Sequence, residues 1–145
     1  MIFAQAMISR SGPSAACLGY VRSGSLQLFW SDYVLQEIRE LPSKLPQRLN
    51  LTTERVEAFI ADVAPYAERL TDVAELYENP FDLDDSHYVN LAVASGADLI
   101  SSRDGDLLHL MDVTRPEAQE FQMRFPQLRI LPPEQVLSLL RSNRL

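Results

Sequence analysis

Apolar positions along this chain fall into two alternating rhythms, helical stripes and short continuous runs. Tyr33, Val34, Leu35, Ile38 and Leu41 recur at helical spacing behind Ser31 and Asp32, both N-cap types, so a helix is predicted there. Val56, Phe59, Ile60 and Val63 repeat the pattern behind Thr52 or Thr53. A third stripe runs from Pro13 to the stop at Gly24, and a fourth from His87 to Ser95, stopped by Gly96. Weaker helical patterns cover 107–111, 114–126 with Pro116 near the first turn, and Glu134–Leu140 behind Pro132 and Pro133. Leu26–Trp30, Ala97–Ser102 and Leu128–Leu131 are short, apolar and bounded by turn residues, which predicts strands. The stretch from Leu70 to Leu76 fits neither rhythm well, and its Val73–Leu76 part is read as a further short strand. Pro42 and Pro46 break the chain, and Pro65 ends or kinks the helix before it.

Strands thus alternate with helices, and no Asn-Gly-type hairpin turn joins any two strands. That order predicts an α/β fold with a mainly parallel sheet covered by helices. With 145 residues, 46% of them hydrophobic, the chain is long enough for a core and fits a single domain over 1–145. No apolar run is long enough to span a bilayer, and the apolar opening segment lacks the basic start of a signal peptide. The single cysteine, Cys17, excludes an internal disulfide and lies in an apolar stretch that suits a buried core residue; a cytoplasmic location is expected. Trp30, at the end of a strand, is likewise read as core.

Charge alters the picture in one way. A net charge of −7 argues against a broad basic surface for duplex DNA. Metal ions held in an acidic cleft nevertheless invert the field that a phosphate meets. Ligands of open parallel sheets collect where strands end and helices begin. Asp104 and Asp106 follow the strand ending at Ser102, Asp84 and Asp85 stand at the mouth of the helix near His87, and Glu37 lies about one and a half turns into the helix after Trp30. Carboxylates from separate segments suit a hard divalent cation, which activates water for attack on a phosphodiester. Each acid taken alone is equally a helix cap. Their recurrence at successive junctions is what favours a metal site. Zinc is not expected, since Cys17, His87 and His109 lack ligand spacing, and the five glycines form no phosphate loop.

Ser102-Arg103-Asp104-Gly105-Asp106-Leu107-Leu108 resembles the (Thr/Ser)-x-Asp-x-Asp-Leu-Leu signature of PIN-domain nucleases. The preceding Asn90–Ile100 segment is similar to the helix–glycine–strand approach of the same family, and Asp82–Tyr88 to its Asp-Pro-x-Asp loop, with Leu83 in place of proline. Ser31–Ile38 resembles the segment that carries its helical glutamate, at Glu37, and Phe125–Leu131 suits the branch of toxin components of toxin–antitoxin systems. The resemblance implies a three-layer α/β/α sandwich and a Mg²⁺- or Mn²⁺-dependent endoribonuclease, often a homodimer, whose antitoxin protein partner occupies the cleft. It implies Glu37, Asp85 and Asp104 as metal ligands and Asp106 as an auxiliary acid. Ser102 and Arg103 are the expected RNA contacts.

The chain departs from the family pattern at its start. PIN domains open on a strand ending in Asp-x-Asn, whereas 1–13 resembles the apolar helix and Gly-Pro turn that follow it. The first strand and its aspartate are therefore expected to be missing, with a start codon lying upstream as the preferred explanation. A catalytically silent module that binds RNA or an antitoxin is the alternative. A receiver-like regulator is a third reading, but it needs a lysine after a late strand, and the only lysine is Lys44.

Overall fold

The computed structural model describes residues 2–142, so Met1, the first residue of the apolar opening segment, lies outside the description. The chain divides into two compact units, Ile2–Thr71 and Asp72–Leu145.

The N-terminal unit runs α1 (Ile2–Ile8), α2 (Pro13–Arg22), β1 (Leu28–Ser31), α3 (Asp32–Arg39), α4 (Leu41–Lys44), α5 (Thr53–Val63) and β2 (Ala67–Leu70). Local chemistry sets most of these boundaries. Pro13 occupies the first turn of α2, where its missing amide costs no hydrogen bond. Ser31 ends β1 and caps α3, its hydroxyl accepting from Val34 N at 3.3 Å. Thr52 caps α5 through Arg55 N at 3.2 Å. Pro42, expected to break the chain, instead stands in the first turn of the four-residue α4. β1 and β2 pair in parallel, Leu28 opposite Ala67 and Ser31 opposite Leu70, as a helical crossover between them requires. Ala6, Leu18 and Val21 form a small buried cluster, with Phe3, Leu28 and Phe59 against it. Trp30 is 3% exposed and meets Phe3 at 6.4 Å between ring centroids, so it is core as expected. The guanidinium of Arg55 gathers the carbonyls of Asn50 (2.6 Å) and Met7 (3.0 Å), tying α1 to the start of α5.

One expectation fails here. No strand forms at Val73–Leu76; the extended segment is β2, at Ala67–Leu70. The reason is burial: the central Glu68 and Arg69 of β2 are exposed, so the strand lacks the apolar run that marks strands in sequence, while Leu76 and Tyr77 offer their backbone amides to the Asn90 side chain instead of to a neighbour strand.

The C-terminal unit runs α6 (Ser86–Ser95), β3 (Leu99–Ser101), α7 (Gly105–Leu108), α8 (Pro116–Arg124), β4 (Arg129–Leu131) and α9 (Pro133–Arg141). Gly96 adopts the left-handed conformation (φ 74°) that ends α6, a position that a side chain would strain. β3 and β4 are again parallel, Ile100 opposite Ile130. Val89, Ile100, Leu107, Leu110, Phe121 and Ile130 make the core. Tyr77, Phe121 and Phe125 pack as an aromatic group with centroids 5.2–5.7 Å apart, and the Arg124 guanidinium lies 5.1 Å over Phe125. Both observed pairings are thus parallel and helix-connected, as the α/β reading requires, and among the described residues they form two two-stranded sheets.

Truncating Phe121, which is 1% exposed, is expected to cost about 3–5 kcal/mol in a urea unfolding curve, while Met123→Ala, at an 85% exposed position, stays within about 0.5 kcal/mol. Equal effects at the two positions would contradict this account of the core.

Candidate metal centre

The carboxylates of the C-terminal unit are placed by two turns that carry acids at their own caps. In the first, Asp82 accepts from Asp84 N at 3.0 Å, which starts the single turn of tight helix at Leu83–Asp85 that leads into α6. In the second, β3 delivers the chain to Ser102, whose hydroxyl accepts from Asp104 N at 3.0 Å, and Asp104 then caps α7 by accepting from Asp106 N at 3.0 Å. Short polar side chains bonding the backbone two residues onward are what such sequences favour over longer helix.

These turns bring Asp82, Asp85 and Asp106 together, each presenting a carboxylate oxygen within 4.8 Å of the others. Asp85 is 6% exposed, and its Oδ2 is buried with no hydrogen-bond partner. Burial pushes its pKa up from 3.8 to about 7, and the negative charges of Asp104, Asp82 and Asp106, with a hydrogen bond to Asp104, push the same way. The group therefore keeps its proton well above the usual carboxylate range, and a cation bound there would take that proton's place. Hard divalent ions bind carboxylate oxygens at about 2.0–2.6 Å, so two ligands on one ion lie within about 5 Å of each other. The donor set fits such an ion, and an otherwise unpartnered buried oxygen points to the same need.

Of the expected site residues, Asp85, Asp104 and Asp106 are therefore neighbours. Glu37 lies in the N-terminal unit, half-buried on α3. Ser102 is a turn-forming acceptor, and Arg103 is ion-paired with Glu134, whose carboxyl it holds below the usual range. His109 and Phe81 meet in an edge-to-face pair at 5.4 Å between centroids, and His109 is partly buried.

Three residues escaped the reading of the sequence. Asp82 was visible as the head of an acidic loop but had no role of its own. Asn79 and Asn90 carry no expectation of their own from the sequence, yet both are buried and hydrogen-bonded. Asn90 Oδ1 accepts from Leu76 N (3.0 Å) and Tyr77 N (2.9 Å), and its Nδ2 donates to Tyr77 O (3.3 Å). A buried asparagine is hard to tell from a loop asparagine without its partners, so only its position between apolar neighbours hinted at burial.

Among the described residues no helix is long and apolar enough to cross a membrane. A family model described as PIN domain matches residues 1–106, a span that includes Glu37, Asp82, Asp85, Asp104 and Asp106. Neither the comparison with curated proteins nor that with solved structures yields a match.

The raised pKa of Asp85 has a defined sign in stability. Between 3.8 and about 7 the folded chain keeps a proton that the unfolded chain has released, so this contribution is full below 3.8, falls as pH rises and is gone above about 7. In chelator, Asp85→Asn is expected to remove that fall, leaving a melting temperature less dependent on pH over this window than the wild type's. Parallel pH profiles for the two proteins would show that Asp85 titrates normally.

Proposed function

We propose a nuclease function on one premise: this chain belongs to the PIN-domain family. Membership carries a nuclease-type fold, and PIN domains are typically dependent on divalent metal and commonly bind RNA. The reading is a Mg²⁺- or Mn²⁺-dependent endoribonuclease that hydrolyses RNA phosphodiester bonds, acting in the cytoplasm as the toxin of a toxin–antitoxin pair. An antitoxin protein is its inhibitor, and the chain assembles as a homodimer.

The observation that carries this reading is the Asp82, Asp85 and Asp106 trio, with the charge of Asp104 beside Asp85. Those residues hold the ion. A divalent ion bound there would supply Lewis-acid chemistry towards a phosphodiester and a water. The protein's own part is to fix the carboxylates, to exclude water around the buried Asp85 and to orient the RNA backbone. Arg103 serves that last role by exchanging Glu134 for a phosphate, a bidentate acceptor of the same charge sign.

The test is cleavage of a mixed single-stranded RNA substrate by the purified chain, in chelator and in Mn²⁺ or Mg²⁺. Cleavage is expected only with the metal, and Asp85→Asn and Asp106→Asn each lower it by about two orders of magnitude or more, since even outer-shell partners of metal ligands cost about 10–100-fold. Cleavage that persists in chelator, or that survives both substitutions, contradicts the reading. RNA or antitoxin binding with no turnover in Mn²⁺ selects the silent binding module instead.

A further inference from the structure

We infer that Asn79 is a positioning residue for the carboxylate site, its buried side chain clipping the Asp82–Asp85 turn to the helical turn that carries Asp106. Asn79 is 0% exposed. Its Oδ1 accepts from Phe81 N at 2.9 Å, its Nδ2 donates to Asp106 O at 3.1 Å, and its backbone N donates to Ser86 Oγ at 2.7 Å. The donor and acceptor ends of the amide are thereby distinguished, because Phe81 offers only N–H and Asp106 only a carbonyl. A simple turn asparagine would account for the Phe81 bond alone. The bond to Asp106 crosses 27 residues of sequence, and the bond to Ser86 fixes the residue beside Asp85.

All three members of the trio are thus within one residue of an Asn79 partner or are that partner: Asp82 follows Phe81, Asp85 precedes Ser86, and Asp106 is bonded directly. Carboxylates that repel one another need a scaffold that does not depend on their charge, and a neutral amide whose Oδ1 and Nδ2 are each hydrogen-bonded provides it. Binding a cation then requires less ordering of its ligands. The clip itself is independent of metal, but its consequence for affinity rests on the proposed function.

The test measures free Mn²⁺ by electron paramagnetic resonance against the wild type, Asn79→Ala, Asn79→Asp and Asn90→Ala. Once ionised, the carboxyl that Asn79→Asp introduces still accepts from Phe81 N but has no donor for the Asp106 carbonyl, so this variant, measured on the alkaline side of neutral pH where burial no longer keeps it protonated, cuts the clip while preserving the turn. Asn90 is the control: it is also buried and makes three bonds, yet all three go to Leu76 and Tyr77. Both Asn79 variants are expected to weaken Mn²⁺ binding by about 10-fold or more, with Asn90→Ala losing stability but keeping its affinity. Wild-type affinity in a folded Asn79 variant, or an equal loss in Asn90→Ala, overturns the inference. Amide exchange separates the clip from the metal reading. If the wild type binds no Mn²⁺, the metal reading fails, and the clip is judged by the amides of Leu107 and Leu108, which bond Asp104 O at 3.2 and 3.0 Å. Faster exchange there in Asn79→Asp than in Asn90→Ala supports the clip; equal exchange overturns it.

Discussion

Like charges held close together are the constraint around which the C-terminal unit is arranged. Asp82, Asp85 and Asp106 bring oxygens within 4.8 Å of one another, and the charge of Asp104 acts on the most buried of them as well. Left to themselves these carboxylates would move apart or out into water. The backbone prevents it, because each acid-bearing turn is bonded at its own start: Asp84 N to Asp82, Asp104 N to Ser102, and Asp106 N to Asp104. Asp82 caps its turn with the same side chain that it brings to the cluster, and Asp104 caps α7 beside it, so capping these turns and gathering the carboxylates are one arrangement.

The rest of the unit serves to hold those turns still. Leu107, next to Asp106, is 2% exposed and belongs to the core with Val89 of α6, Ile100 of β3 and Ile130 of β4. Apolar packing therefore anchors both acid-bearing segments, and the neutral amides of Asn90 and Asn79 connect the stretch 76–81 to α6 and α7. Surface ion pairs contribute little by comparison: Arg39–Glu57 and Arg69–Asp32, in the N-terminal unit, are each about half exposed.

Legibility in the sequence followed the range of the interaction. Ser31, Thr52, Gly96, Pro116 and Pro133 mark element boundaries through bonds or torsions within a few residues, and they could be read directly. β2 could not, because its pairing with β1 joins residues about 40 apart and its exposed Glu68 and Arg69 carry no apolar signal. The same division runs through the site. Asp85, Asp104 and Asp106 were visible because strand–helix junctions are where acids of this kind gather, and their neighbours matched a family signature. Asp82 and Asn79 were not, since what sets them apart is what they face: Asp82 two other carboxylates, Asn79 a carbonyl 27 residues away.

The most direct measurement is a crystal structure of the chain grown with Mn²⁺, with anomalous scattering collected to locate the ion. A single peak is expected among the carboxylate oxygens of Asp82, Asp85 and Asp106, bonded to Asp85 Oδ2, the buried oxygen that has no partner in the protein. A trio that stays empty at saturating Mn²⁺, with Asp85 still protonated at neutral pH, would contradict the claim that these acids are held together to bind metal.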